Sequence, residues 1–129
     1  MFDILAIDWG EKYFGIAFGS RLTKLVIPAT QFILANQAAD YLKNQIQARK
    51  ITTIILGYPT TFHGKDTKIS HLIQEYKTHL EQEFKNIKVE LIDERGTSKT
   101  SQEMVNNSIL SHNLAAVVIL ERWLEKTGV

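Results

Sequence analysis

The chain has 129 residues, 44% hydrophobic and 22% charged, with no cysteine and a formal net charge of +1. That length suits a single compact domain over residues 1–129 with a proper core, and the composition is that of an ordinary globular protein. Lack of cysteine excludes disulfides and cysteine-ligated zinc, and a charge near zero leaves nucleic-acid contact to local basic clusters. No basic and apolar leader opens the chain, and the longest later apolar run, Leu114 to Leu120, is too short for a bilayer. A cytoplasmic protein with no membrane association is expected.

Ile4 to Ile7 form an apolar run, as in a strand buried on both faces, and deliver Asp8 to a bend containing Gly10. A second strand, Phe14 to Gly19, runs back beside the first. An acid at the end of a buried strand is costly unless something pairs with it, so Asp8 is either a turn cap or a ligand for a cation. Lys24 to Leu34 reads as a third strand, with Pro28 marking an edge or a bulge. Asn36 to Arg49 has helical spacing of Ala38, Ala39, Leu42 and Ile46, with Asn36 as N-cap. Ile51 to Leu56 is β-branched and apolar, a buried strand ending at Gly57-Tyr58-Pro59.

A polar loop, Thr60 to Lys68, leads to a helix over Ile69 to Phe84, whose apolar stripe contains Ile69, Leu72, Ile73, Tyr76, Leu80 and Phe84. His71 and His79 fall on it as surface residues, and His63 in the loop is a weak substrate contact. Lys88 to Ile92 is a short strand running into Asp93-Glu94-Arg95. A polar loop with a short helix around Ser101 to Val105 follows. The last helix, His112 to Glu125, is amphipathic, with Ser111 able to cap it. The order predicts an α/β fold: a five-stranded mixed sheet, three strands antiparallel and two parallel, flanked by helices.

Strands one and five both end in acids. With the fourth strand between them, these ends lie roughly 9.5 Å apart, far enough to limit repulsion and close enough to flank a metal pair. Oxygen ligands of this kind suit magnesium or manganese. Solvated acids paired with Lys12 or Arg95 remain the alternative.

Four blocks, in order, resemble the YqgF/RuvX family of RuvC-like nucleases. They are Asp8-Trp9-Gly10-Glu11-Lys12-Tyr13-Phe14-Gly15-Ile16-Ala17; Gly57-Tyr58-Pro59 with Gly64; Asp93-Glu94-Arg95 with Thr97 and Ser98; and His112-Asn113-Leu114-Ala115-Ala116. The resemblance implies a ribonuclease H-like fold and a metal-dependent endonuclease that hydrolyses phosphodiester bonds. The implied task is 5′ processing of pre-16S rRNA, a step of ribosome biogenesis. It also implies Asp8, Glu94 and His112 as catalytic metal ligands for Mg2+ or Mn2+. Structured RNA is the favoured partner over DNA junctions, with the protein a monomer or homodimer.

Two alternatives accompany this reading: a Holliday junction resolvase-like DNA endonuclease, and a catalytically weakened nucleic-acid-binding or ribosome-assembly module. A kinase-like phosphate loop is disfavoured by the single short domain. Lys12, Tyr13, Arg95, Thr97, Ser98 and Lys99 are the expected nucleic-acid contacts. Three positions depart from the family pattern. His112 stands where Asp is usual, Tyr13 where Arg is usual, and Gly96 where a larger residue is usual. Imidazole favours manganese over magnesium, and at a helix start the dipole is expected to disfavour its protonated form.

Overall fold

The computed structural model describes residues 1–31, 33–58, 68–93 and 108–126. Its strands are β1 (Ile4–Asp8), β2 (Tyr13–Gly19), β3 (Val26–Pro28), β4 (Ile33–Leu34), β5 (Thr53–Tyr58) and β6 (Lys88–Asp93). Its helices are α1 (Ala38–Arg49), entered through a 3-10 turn at Ala35–Gln37, α2 (Lys68–Glu83) and α3 (Ser108–Lys126). The sheet runs β3-β2-β1-β5-β6, with β4 also on β2. β2 is antiparallel to β1, β3 and β4, whereas β1, β5 and β6 are parallel. β5 therefore lies between β1 and β6, and the carboxyl ends of the three parallel strands share one edge.

The mixed sheet and the element order agree with the sequence reading, but the third strand divides. β3 and β4 pair with β2 on either side of residues 29–32, so the described sheet has six strands rather than five. Pro28 has no N–H with which to continue a ladder, and after one more bond to β2, from the Ala29 N–H to the Ile16 carbonyl at 2.9 Å, the chain leaves the strand. Boundaries also move. The fourth expected strand starts two residues later, at Thr53. Asn36 lies inside the 3-10 turn, and Gln37 precedes α1 without a side-chain cap. α3 begins at Ser108, so Ser111 is within the helix instead of capping it. The expected short helix at 101–105 lies outside the described residues.

Side-chain alternation divides the core in two. Leu5, Ile7, Phe14, Ile16, Phe18, Ile54 and Leu56 join Leu42 of α1 and Ile73 and Leu80 of α2 on one face. Ile4, Ala6, Ala17, Ile55 and Ile92 meet Ala116, Ile119, Leu120, Trp123 and Leu124 of α3 on the other. The α3 face is lined by small residues along β2. A methyl at Gly15 would run into the His112 backbone carbonyl, and one at Gly19 would meet Leu120 at 2.6 Å. These glycines let α3 lie directly on the strand. By the same alternation Asp8 follows Ile4 and Ala6 onto the α3 face, where it is half-buried.

Candidate functional site

The β1–β2 turn lies at the carboxyl edge of the parallel strands, between the start of α2 and the first turns of α3. It is tight because a side chain at Gly10 would meet the Tyr13 carbonyl 2.5 Å away. β1 delivers Asp8 to this edge, and α3 delivers His112 above it. Asp8 Oδ2 stands 3.8 Å from His112 Nδ1, with the carboxylate side chain 18% exposed and the imidazole 37%. That separation is an ion-pair distance, longer than a formed hydrogen bond.

Asp8 raises the His112 pKa above the ordinary imidazole value, first as a hydrogen-bond acceptor and also through its charge; partial burial pulls the other way. The helix-start expectation is thereby corrected. His112 is the fifth residue of α3 rather than in its first turn, past the strongest part of the dipole, and the facing carboxylate raises its pKa. Tyr13, at the start of β2, sets its ring 6.0 Å from the imidazole, tilted by 48°. Lys12 and Tyr13 line an open cleft of about 440 Å³ together with Trp9, Gly10, Glu11, Ile69 and His112.

The structure thus brings Asp8, Lys12, Tyr13 and His112 to one place. Glu94, Arg95, Thr97, Ser98 and Lys99 lie outside the described residues, as do Gly64 and His63. β6 ends at Asp93, on the same sheet edge as Asp8, with Glu94 the next residue in the chain. Among the described residues no three His, Asp or Glu side chains converge as a metal cluster; the described share of the site is the Asp8–His112 pair. His71 is exposed, in keeping with its surface reading. His79 has partners on its own helix, Glu83 at 3.1 Å and the Tyr76 ring at 6.2 Å.

Sequence reasoning passed over Asn113, which holds His112 in place. It is 2% exposed, and its Oδ1 accepts the Ile16 N–H at 2.9 Å. Its Nδ2 donates to the carbonyls of Ala29, at 2.8 Å, and Gln31, at 3.2 Å. Between β3 and β4, where among the described residues the backbone reaches β2 through the Ala29 N–H to Ile16 carbonyl bond, this amide takes up the Ile16 N–H and ties α3 to the 29–31 segment as well. Its only sequence signal is an amide inside an otherwise apolar helical run. Trp9 was passed over too; it packs beside Phe14, with ring centroids 6.3 Å apart, and lines the cleft.

Known proteins share this arrangement of strands and helices. The fowlpox virus resolvase, solved with substrate Holliday junction DNA, aligns with a TM-score of 0.60 over 98% of this chain and 99% of its own, at 14% identity. A yeast mitochondrial Holliday junction resolvase aligns at 0.52 over 98% and 79%, also at 14% identity. At that identity the likeness concerns the fold, which is ribonuclease H-like.

Sequence relatives are closer. A Bordetella parapertussis protein described as "Putative pre-16S rRNA nuclease" is 32% identical over 124 residues, covering 95% of this chain and 92% of that one. A Dictyoglomus turgidum protein of the same description is 28% identical over 137 residues, covering 95% and 93%. The family profile described as "RuvX: Holliday junction resolvase" matches residues 3–126. With a profile match over nearly the whole chain and relatives of equal extent, the chain belongs to the RuvX family of nucleases.

Proposed function

We propose that this chain is a divalent-metal-dependent endonuclease that hydrolyses phosphodiester bonds in the 5′ processing of pre-16S rRNA, working in the cytoplasm as a monomer or homodimer. The observation that carries this reading is the Asp8–His112 pair, held at the carboxyl edge of the parallel strands beside a cleft lined by Lys12 and Tyr13. The task is taken from the relatives described as pre-16S rRNA nucleases.

The donor set fits a metal. Two ligand atoms each about 2.0–2.2 Å from one ion stand roughly 3–4 Å apart, and the pair is 3.8 Å apart. Asp8 and His112, with Glu94 as third ligand, would hold Mg2+ or Mn2+, and the imidazole tilts the choice toward Mn2+. A bound ion of this kind activates water as a nucleophile and neutralises charge on the transferred phosphate.

The remaining roles belong to the chain's own residues. The Asp8 carboxylate favours the protonated imidazole, so a proton on His112 must be released before its nitrogen can act as a ligand. Lys12, with Arg95 and Lys99, holds phosphate. Thr97 and Ser98 hydrogen-bond its oxygens or orient Glu94, and Tyr13 offers a ring face to a base or sugar.

A second reading is favoured by His112 and Tyr13 standing where the family usually has Asp and Arg: a nucleic-acid-binding module with weakened cleavage. One experiment separates the two. The parent and Asp8→Asn are incubated with a precursor rRNA carrying its 5′ flank, with Mn2+ or Mg2+, and cleavage and binding are both followed. The parent is expected to cut, and Asp8→Asn to cut about 100-fold more slowly or less while still binding. Equal cutting by both removes Asp8 from the site, and a parent that binds without cutting under either ion establishes the module.

A further inference from the structure

The cleft beside the Asp8–His112 pair has a composition that simple phosphate binding does not require. Its walls carry two aromatic side chains, Trp9 at the end of β1 and Tyr13 at the start of β2, separated in the chain by Gly10, Glu11 and Lys12. Strand alternation directs neighbouring residues to opposite faces, so Asp8 goes to the α3 side and Trp9 to the side of Phe14 and the α1–α2 core. Tyr13 lies against His112. The cleft therefore bridges the two faces around the end of the sheet, with Ile69 of α2 at one limit and His112 of α3 at the other. Its volume, about 440 Å³, is in the lower part of the range for small-molecule sites.

We infer that this cleft receives one unpaired nucleotide, its base against Trp9 and Tyr13 and its phosphate toward Lys12, so that the protein selects single-stranded segments over continuous duplex. The proposal rests on the nuclease reading and names the form of nucleic acid that the site admits. In a duplex each base has its faces covered by neighbours and its edge paired, so aromatic side chains reach only bases that have left the stack. Lys12 supplies the positive charge, and Glu11 on the same lining disfavours a second phosphate. A base seated here leaves its flanking phosphate next to His112, which lines the same cleft, so recognition and cleavage share one wall.

The test reads binding alone. Short single-stranded RNAs with 2-aminopurine at successive positions are titrated with the protein in EDTA, where metal-dependent cutting is absent; a blunt RNA duplex with the same label serves as comparison. The expected result is fluorescence quenching at a single position of the single strand. Trp9→Leu and Tyr13→Leu should each weaken single-strand binding by roughly 5- to 150-fold, the range for removing one base–aromatic stack, and leave duplex binding unchanged. Trp9→Phe and Tyr13→Phe, which keep a ring, should retain most of the affinity. Because Trp9 also touches the core, Tyr13→Leu decides the matter if Trp9→Leu does not fold. Unchanged affinity in Tyr13→Leu, or an equal loss on duplex and single strand, overturns the proposal. A parent that shows the quench yet cuts under no divalent ion would sink the nuclease reading while leaving the cleft's specificity intact.

Discussion

His112 is the residue on which most turns, because its partner decides its charge. The Asp8 carboxylate raises its folded-state pKa above the unfolded value of about 6.5. A raised folded pKa means that the proton binds the folded protein more tightly than the unfolded one. The stabilisation is then complete below pH about 6.5 and fades as pH climbs through the folded-state value. In metal-free protein, urea midpoints measured from pH 5 to 8 should fall more for the parent than for His112→Asn. Parallel curves would show that the pair is not coupled in solution. The imidazole side chain is 37% exposed, so solvent screening keeps the effect modest. In the proposed metal site proton and metal would compete for one nitrogen, and apparent metal affinity is expected to rise over the same pH window in which the stabilisation is lost.

At the scale of elements, α3 is placed by β2 more than by its own sequence. Gly15 opens the strand surface to the α3 backbone at His112 and Gly19 to the Leu120 side chain, and Asn113 then fixes the register. Asn113→Ala would leave the Ile16 N–H and the Ala29 and Gln31 carbonyls without their partner. Each buried group so orphaned costs roughly 1–3 kcal/mol, with water recovering part of the total. Urea denaturation should show a loss of at least about 1 kcal/mol, and a variant as stable as the parent would mean that the amide merely fills space.

The sequence made β1, β2 and the acid that ends β1 legible, because a continuous apolar run and the Gly10 turn are local signals. The division of the third strand was half-legible in Pro28. The role of Asn113 was not, since a buried amide near a helix start looks like a surface residue until the gap in the β2 ladder is known. The start of α3 was misjudged for a related reason: Ser111 has the chemistry of a cap, but the helix reaches three residues further toward its amino end.

For the molecule as a whole, a net charge of +1 offers no general attraction to polyanions. Under the proposed function, binding rests on a few cations, Lys12 together with Arg95 and Lys99. Three phosphate contacts to a single strand correspond to a log–log salt slope of about −2, by the rule of about 0.7 per neutralised phosphate. A slope near zero would remove these side chains from the phosphate, and one steeper than about −5 would require a basic surface beyond them. Such a shallow dependence suits a protein that discriminates by shape and ring contact, since competing duplex gains little from charge alone.

The amide that Asn113 accepts has a further use. Ile16 lies in a central region of β2, yet its N–H is bound by a side chain of α3 instead of a neighbouring strand. Deuterium uptake at that single position therefore registers the helix lifting from the sheet, even while the strands stay paired. Compared with the Ala6 amide on β1, it gives a built-in gauge of how often α3 undocks and whether nucleic acid or metal holds it down. Faster exchange at Ile16 than at Ala6, slowed by ligand, is the expected pattern; equal rates would mean that helix and sheet open as one unit.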